Sequence, residues 1–482
     1  MEPHFEPAAT LASRLAAREI SSRELLDHFL ERVERHNPRI NAVVTVDAER
    51  ARRAADRADQ ALARGESAGA LHGLPITVKD TLETEGLRTT SGAPELAGHV
   101  PAQDADAVAR LRSAGAIVFG KTNTPTFAGD IQTYNPVFGV TNNPWDLGRI
   151  PGGSSGGAAA ALAAGLTGLE LGSDIGGSIR NPAHFCGVFG HKPTFGLVSA
   201  RGHILFEPGW LSSQDVGVVG PLGRSAADLQ LALEVLAAPA PQEAVAWRLE
   251  LPPPRQASLR EYRLACWLDD PALPVDGAVL EVIEGAVGGL RKAGATVRPA
   301  SPAVDAQAAQ RLWERLVWPA FSVEMSEEDW RWARALESEP SEGESRKRRW
   351  GRTSAVRHRD WLVAHEQKLR ARAAWAEFFR DHDALLCPVA QVAAPPHDNQ
   401  RDGNDRTLIV NGRPRPYWDA LYWCGMFGAA GLPAAAVPVG LTREGLPVGM
   451  QVVGPYLEDR TVLHVAAGLE AVLGGFRPPP GF

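Results

Sequence analysis

The sequence predicts an α/β fold in which a mixed or parallel central β-sheet is covered by helices on both faces. Short apolar segments of strand length alternate along the chain with longer segments whose apolar residues recur at helical spacing. Leu74–Asp80 and Ala116–Lys121 are two of the strand candidates, and the second begins with four apolar residues, as strands buried on both faces do. With 44% hydrophobic and 22% charged residues, the composition is that of an ordinary globular protein.

The first 70 residues predict a helical layer. Apolar residues recur at helical spacing over Ala8–His36, and Ser21 and Glu24 have the pattern of a capping box that starts a second helix within this stretch. Ile40–Val46 then predicts a short strand, and Asp47–Gly65 predicts a surface helix rich in alanine and arginine.

The rest of the chain continues the alternation of helices and strands. Ala107–Ala114 and Ala158–Leu166 predict helices. A charged segment at about residues 304–382 is helical and rich in tryptophan, and we expect an exposed loop over Ser338–Ser354 to interrupt it. The stretches GLPAAAVPVG and GLPVGMQVVGP return to strand character before a closing helix at Arg460–Leu473.

Charge and cysteine content exclude several classes of protein. A net charge of -7 over 482 residues gives no basic surface for nucleic acid or anionic lipid. The N-terminus has no apolar signal core and no apolar run reaches the roughly 20 residues of a membrane span, so a cytoplasmic location is expected. His184 and His191 fit no standard zinc spacing, and no metal or cofactor is expected. The cysteines are scattered, which excludes a disulfide framework: Cys186, Cys266, Cys387 and Cys424.

The stretch GAIVFGKT at residues 115–122 matches the phosphate-binding pattern G-x-x-x-x-G-K-T. In a true phosphate loop the intervening residues form a turn that opens a helix. Here they are Ala-Ile-Val-Phe, which favour a strand, and a proline follows where the helix should start. The sequence therefore predicts a core strand and no nucleotide site.

The stretch GGSSGG at Gly152–Gly157 has the spacing of a nucleophile elbow around Ser154. An elbow needs an acid and a histidine, yet no later histidine has a distinctive setting: His358, His365, His382, His397 and His464. A flexible linker is the other alternative, but an apolar helix follows directly. A buried turn fits better, with backbone N–H groups and serine hydroxyls facing a small common volume.

A second glycine-serine turn, SDIGGSIRNP, follows a predicted strand. Ser178 comes directly after two glycines, and Asp174 with Arg180 forms a charge pair that would brace the turn. Taken alone, this is either a structural turn or a catalytic one. GGSSGG and Lys79, at the end of a strand, favour the catalytic interpretation. An activated serine needs a base, and Lys79 is a candidate because no histidine is well placed.

These motifs give the chain a resemblance to the amidase signature family. The resemblance is carried by LHGLPITVKD, GKTNTPTF, YNPVFGVTNNPW, the glycine-serine region through GHKPTFGLV, and the two C-terminal strand segments. It implies a single large amidase-signature domain, 1–482, with a helical layer at 1–70, a catalytic core at 71–235 and a C-terminal part at 383–482. Residues 304–382 are the least family-like, and we expect them to be a variable helical segment near the substrate pocket.

The family resemblance implies a Ser–cis-Ser–Lys triad. Ser178 corresponds to the nucleophile, Ser154 to the bridging serine with a cis peptide, and Lys79 to the base. A lysine has a reference pKa of about 10.4, so it can accept a proton only where desolvation disfavours its charged form. A strand that enters an apolar interior provides that environment.

The same resemblance implies an oxyanion hole made of backbone N–H groups. These belong to Ile175, Gly176, Gly177 and Ser178. Each such donor contributes on the order of a hundredfold to a thousandfold in rate, and glycines leave room for the substrate carbonyl.

The remaining implied site residues support the triad or face the substrate. Ser155 and Ser173 would hold the lysine and the turn in place, or would only cap local backbone. Ala128, Gly129 and Asp130 correspond to a substrate-facing segment. Asp130 is either a carboxylate at the pocket mouth that favours a cationic leaving group, or a solvated loop residue.

Two enzymatic functions follow from the resemblance. The first is an amidase that hydrolyses a carboxamide, a small acyl amide or an anilide, with a small amide as its partner, no nucleic acid, no membrane and a homodimer as the expected assembly. The alternative is the glutaminase (A-type) subunit of a multi-chain amidotransferase. The stretch TNTPTFAGD favours the first, because the transamidating branch has a different segment there. Retention of all three triad residues disfavours a non-catalytic member.

Overall fold

Eleven strands of the described residues, 2–342 and 344–482, form one central sheet in a computed structural model of the chain. Two further strand pairs, β4 with β5 and β12 with β13, are short hairpins outside it. The strands β1 to β15 span, in chain order, Val43–Val46, Pro75–Lys79, Ile117–Thr122, Tyr134–Asn135, Gly139–Val140, Glu170–Asp174, Phe189–Lys192, Val218–Gly223, Arg263–Cys266, Thr296–Pro299, Ala384–Pro388, Thr407–Val410, Arg413–Pro416, Ala434–Leu441 and Pro447–Val453.

Helices flank this sheet along the whole chain. Within the described residues there are fourteen α-helices. The helices α1 to α14 span Ala8–Ala16, Ser22–Ile40, Ala48–Ala63, Asp106–Ser113, Gly156–Ala163, Arg180–Cys186, Ala226–Leu236, Gly277–Lys292, Ala306–Phe321, Glu327–Ala335, Arg346–Ser354, His358–Asp381, Tyr422–Ala430 and Asp459–Leu473.

The sheet is mixed, with strand order β1-β3-β2-β6-β8-β7-β14-β15-β11-β9-β10. Strands β3, β2 and β6 run parallel to one another, as do β11, β9 and β10, whereas the strands between β6 and β11 are antiparallel. The predicted fold class is therefore confirmed: a single α/β domain with a mixed central sheet between helices.

The N-terminal elements follow their local signals. The Ser21 side chain accepts the Glu24 N–H at 3.1 Å and Glu24 accepts the Ser21 N–H at 2.9 Å, so the predicted capping box starts α2. Helix α2 ends at Ile40, and the C-cap residue Asn41 has a left-handed φ of 56°. The strand predicted from Ile40 is consequently shorter and begins at Val43.

The predicted phosphate-loop look-alike is strand β3. Lys121 of this strand is fully buried, and its Nζ donates to the carbonyl of Leu82 and, at 2.8 Å, to Thr84 Oγ1. A lysine occupied in this way inside the sheet layer serves the packing of the core rather than a phosphate.

The predicted loop over Ser338–Ser354 is wrong in its second half, which is helix α11. The Ser345 side chain accepts the Arg348 N–H at 3.4 Å as an N-cap. Gly351 packs so closely on Trp332 that a Cβ there would lie 2.5 Å from the indole. The serine was a local signal in the sequence, but the contact that packs Gly351 of the helix on Trp332 is tertiary. Residue 343 of this stretch lies outside the described residues.

Helix α5 follows the GGSSGG turn and is buried on every side. Its alanines and glycines allow close packing against the sheet: a Cβ on Gly157 would lie 2.4 Å from the backbone nitrogen of Asn123. Such contact leaves the turn before the helix no freedom to shift, and the side chains of Ser154 and Ser155 are held at the edge of the sheet.

Candidate active site

Lys79 is the last residue of β2, and its side chain is fully buried. Its Nζ lies 2.6 Å from Ser154 Oγ and 3.0 Å from Ser173 Oγ. The amine of Lys79 thus contacts two serines that belong to two separate sequence motifs. The strand end directs the amine between the GGSSGG turn and strand β6.

Burial lowers the pKa of Lys79 to about 7, and the charge of Asp174 opposes this shift only in part. An amine with this pKa is neutral in a large fraction of molecules near pH 7, so it can accept a proton. At the ordinary pKa of lysine, the amine would be charged near pH 7 and could not accept a proton.

The turn that carries Ser154 is tied to its neighbours through Ser155. The Gly153–Ser154 peptide bond is cis. The N–H of Ser155 donates to the carbonyl of Ser178 at 3.1 Å, and Ser155 Oγ exchanges bonds with the Ser173 backbone at 3.2 and 3.3 Å. Ser155 therefore connects both serine turns to the end of β6.

The Ser178 turn is braced by Asp174 and Arg180, both with fully buried side chains 2.8 Å apart. Asp174 also accepts the N–H of Gly177 at 2.8 Å and that of Ile179 at 3.1 Å. Burial acts to raise the pKa of Asp174, but the charge and hydrogen bonds of Arg180 outweigh it and hold the pKa below its ordinary value. The φ of Gly177 is 123°, a conformation that requires glycine.

The four backbone N–H groups predicted as oxyanion donors differ in their partners. That of Gly177 is occupied by Asp174. Those of Ile175, Gly176 and Ser178 have no hydrogen-bond partner among the described residues. The geometry therefore leaves three donors of the turn free for a ligand.

Ser178 is buried and lies at the base of a cavity. Within the described chain no hydrogen bond joins Ser154 Oγ to Ser178 Oγ, although the Ser155–Ser178 backbone bond keeps the two turns adjacent. The structure thus brings Lys79 and Ser154 into direct contact and places Ser178 beside them on the substrate side.

The cavity above Ser178 is lined by the predicted loop, by the Ser178 turn and by apolar side chains of two helices, α9 and the short 3₁₀ helix Tyr417–Leu421. The lining residues are Ala128, Gly129, Asp130, Ile131, Ile175, Gly176, Ser178, Trp313, Val317, Trp318, Phe321, Trp418 and Leu421.

The individual apolar wall residues were not predicted from the sequence. The spacing of Trp313, Val317, Trp318 and Phe321 places them on one face of α9, and this pattern was the signal available. This spacing predicts that the four side chains share one helix face, but it does not predict which part of the molecule that face contacts. Helix α9, within residues 304–382, lines this cavity, whereas Trp375 of α12 lies in the hydrophobic core away from it. That residues 304–382 vary within the family and lie near a substrate pocket stays a prediction.

Asp130 lies in the cavity wall but is neither a solvated carboxylate nor a free anion. Arg406 donates to it at 2.6 Å and Tyr417 at 2.5 Å. The side chain of Arg406 is only 2% exposed, and its guanidinium also donates to Tyr134 Oη at 2.7 Å. The ion pair compensates the charge of Asp130, so Asp130 is not the solvated loop carboxylate considered from the sequence. Its effect on a cationic leaving group stays a prediction.

The histidines required by a nucleophile elbow have other contacts. His464 Nδ1 lies 2.9 Å from Tyr262 Oη, and His365 stacks on Trp361. No histidine hydrogen-bonds to Ser154 or Ser178 in the part of the chain that the structure describes. A search of the same residues finds no group of three or more His, Cys, Asp and Glu side chains that could hold a metal ion.

None of the helices among residues 2–342 and 344–482 combines the length and the apolar character that crossing a bilayer requires.

Comparison with known proteins places these features in context. A family model described as Amidase matches residues 24–463. The A-type subunit of the glutamyl-tRNA(Gln) amidotransferase of Alkaliphilus metalliredigens is 33% identical over 96% of this chain and 95% of its own length. The protein of the same name from Synechococcus sp. (strain CC9902) is 35% identical over 93% of this chain and 92% of its own. A crystal structure of an amidase superposes with a TM-score of 0.78 at 31% identity, covering 97% of this chain and 100% of that one.

The relatives change two expectations drawn from the sequence. The predicted partners, a small amide and a second copy with no nucleic acid, are overturned by relatives whose names contain a tRNA and identify them as one chain of a larger enzyme. The error came from net charge, which averages over 482 residues and does not report local surfaces. The relatives also favour the glutaminase alternative over the simple amidase, since similarity along the whole chain outweighs the single stretch TNTPTFAGD.

Proposed function

Because the chain belongs to the amidase family, an enzyme family that acts on C–N bonds, we propose that it cleaves an amide through an acyl-enzyme on Ser178 and that it is the glutaminase subunit of a multi-chain amidotransferase. The observation that carries the chemistry is the buried contact of 2.6 Å between Lys79 Nζ and Ser154 Oγ. It joins a lysine of lowered pKa to a hydroxyl beside the nucleophile, which is the arrangement that a serine needs when no histidine is available.

Acylation begins when neutral Lys79 takes the proton of Ser154 while Ser154 takes that of Ser178. The Ser178 oxygen forms a bond to the amide carbon, and the carbonyl oxygen becomes an oxyanion. This step requires the Ser178 hydroxyl to turn toward Ser154 when substrate binds, because no hydrogen bond joins the two hydroxyls among the described residues. The N–H groups of Ile175, Gly176 and Ser178, which have no other partner among the described residues, stabilise the oxyanion.

The tetrahedral intermediate collapses by breaking its C–N bond. The proton held by Lys79 returns through Ser154 to the leaving nitrogen, so ammonia departs neutral and the acyl group stays on Ser178 as an ester. Water then gives one proton to the same relay and attacks the ester. The acid leaves, and Ser178 regains its proton.

The glutaminase role is supported by the extent of similarity to the A-type chains of glutamyl-tRNA(Gln) amidotransferases. The relatives from Alkaliphilus metalliredigens and Synechococcus align with more than nine-tenths of this chain and of their own length. In this role the amide is that of glutamine, the products are glutamate and ammonia, and a partner chain uses the ammonia on a tRNA-linked substrate. The cytoplasmic location expected from the sequence stays a prediction.

A second candidate, hydrolysis of an amide with an aromatic or otherwise apolar acyl group, is favoured by the cavity wall. Trp313, Trp318 and Trp418 face the space above Ser178. Among the described residues that line the cavity, Asp130 alone is charged, and Arg406 already compensates it. Glutamine carries an α-ammonium and an α-carboxylate that need partners once they leave water, whereas an apolar acyl group does not.

The two candidates are separated by measuring glutamate released from glutamine and benzoate released from benzamide, with wild-type protein and Ser178→Ala. Glutamine turnover that Ser178→Ala abolishes, with benzamide inert, supports the glutaminase. Benzamide turnover with glutamine inert supports the second candidate. Equal turnover by wild type and Ser178→Ala on either substrate would overturn the assignment of Ser178.

A further inference from the structure

We propose that Trp313 is a positioning residue for the oxyanion turn: its indole N–H holds the carbonyl of Ile175 and thereby fixes the direction of the Gly176 N–H. The inference rests on the proposed acyl-enzyme chemistry and adds to it a residue from outside the serine–lysine relay. Trp313 lies on α9, in the segment that the sequence led us to expect as variable within the family.

The hydrogen bond is direct and enclosed. The side chain of Trp313 is fully buried, and its Nε1 donates to the Ile175 carbonyl at 3.1 Å. The Ile175 carbonyl and the Gly176 N–H belong to one planar trans peptide, in which the two groups point in opposite directions. Holding the carbonyl toward the indole therefore turns the Gly176 N–H away from it, and this is one of the three N–H groups without a partner in the described chain.

The indole is itself held in place by close contacts on several sides. A Cβ on Gly176 would lie 2.5 Å from the six-membered ring of Trp313, and one on Gly425 would lie 2.9 Å from the indole. Trp318 and Tyr422 pack edge-on at centroid distances of 5.6 and 6.0 Å. A ring packed this tightly cannot tilt without moving the turn, so its N–H is a fixed reference point.

The turn is thus anchored from two sides by different parts of the molecule. Asp174, at the end of strand β6, holds the Gly177 N–H. Trp313, from helix α9, holds the peptide one residue earlier. If either anchor is removed, the free N–H groups of the turn lose a defined direction, and preorganised donors act through their direction.

The test compares Trp313→Phe with the matched variant Trp423→Phe. Trp423 is also fully buried and its Nε1 also donates to a backbone carbonyl, that of Leu273 at 3.2 Å, but this carbonyl lies away from the turn. Both variants lose one buried indole hydrogen bond and are checked for folding by thermal melting. We expect Trp313→Phe to lower kcat about tenfold, a fraction of what complete loss of one oxyanion donor costs, and Trp423→Phe to leave kcat within about twofold.

Affinity for an aryl trifluoromethyl ketone supplies the readout that a purely structural role would not move. Addition of Ser178 to the ketone creates an oxyanion, so this affinity should fall by the same factor as kcat/KM in Trp313→Phe. Equal effects of Trp313→Phe and Trp423→Phe, or a rise in KM alone, would overturn the inference. A wild-type protein that forms no adduct with the aryl ketone would count against the second candidate function, and the comparison of kcat between Trp313→Phe and Trp423→Phe would then decide the inference.

A double substitution tests the contact from the other side. Gly176→Ala should collide with the indole and lower kcat/KM strongly in the wild-type background. In Trp313→Phe, whose smaller ring leaves room for the methyl group, the same substitution should cost several-fold less. Strictly additive effects would show that the indole and Gly176 do not act on one another.

Discussion

The serine–lysine relay and the cavity wall that faces it are formed by different kinds of side chain, polar in the relay and apolar in the wall. The relay consists of polar groups on strand ends and turns of the central sheet, where the buried Lys79 donates hydrogen bonds to the buried Ser154 and Ser173. The wall consists of apolar rings on α9 and on the 3₁₀ helix Tyr417–Leu421, such as the half-buried Trp318 and Trp418. We therefore propose that the relay in the sheet layer sets the chemistry and that the wall rings that make no hydrogen bond to the Ser178 turn, such as Trp318, set selectivity. Substitutions of these two groups should change different kinetic constants.

The largest effect should come from the nucleophile. We expect Ser178→Ala to lower kcat by at least about ten-thousandfold, because no other group can form the acyl-enzyme. Intact-protein mass spectrometry after exposure to a sulfonyl fluoride checks this directly: wild type gains one adduct and Ser178→Ala gains none. Ser199→Ala removes a hydroxyl that bonds Asp106 instead and should label normally. An adduct on Ser154 in Ser178→Ala would instead support the nucleophile-elbow hypothesis, in which Ser154 is the nucleophile.

The base should come next. We expect Lys79→Met to lower kcat/KM by about a hundredfold to ten-thousandfold, the range for general acid–base groups. Lys121→Met is the matched control, since Lys121 is also a fully buried lysine, one residue before the end of the neighbouring strand β3, but lies outside the relay. Its variant should lose thermal stability and, while folded, keep its activity. Loss of activity in both variants at a temperature where both are folded would contradict the assignment of Lys79 as the base, because a buried lysine outside the relay would then matter equally.

The pH profile should show the same base in the wild-type protein. Lys79 must be neutral to accept a proton, and burial lowers its pKa to about 7. Protonation below that pKa removes the base, so kcat/KM should fall about tenfold per pH unit under pH 7 and level off above it. Initial rates between pH 5 and 9 test this; a limb centred near 10 would show that Lys79 keeps the pKa of an ordinary lysine.

A substitution in the cavity wall should have the smallest effect of the four, and this effect should be an increase in KM. Trp318→Ala removes an aromatic surface from the cavity without touching a hydrogen bond of the relay. For an apolar amide we expect KM to rise about tenfold at nearly unchanged kcat, because the ring contributes equally to the ground state and the transition state. For glutamine we expect little change. A fall in kcat alone would mean that wall and relay are not separable.

Local features of the sequence were sufficient for the main elements and for the relay candidates. The capping box at Ser21, the strand at Leu74–Asp80 and the closing helix are encoded by residues a few positions apart. Lys79, Ser154 and Ser178 stood out because strand-end lysines and glycine-rich serine turns have recognisable local patterns. The brace between Asp174 and Arg180 could be inferred for the same reason, since six positions separate them.

Only the tertiary structure decided which distant residues complete the site. Trp313 bonds to Ile175 across 138 positions, and Arg406 compensates Asp130 across 276. A local pattern determines backbone conformation and nearby partners, whereas such contacts depend on how layers of the fold pack together. The sequence by itself therefore determined the α/β class and the candidate serines and lysine, and the packing of helices on the sheet decided the cavity, its charge and the anchoring of its oxyanion turn.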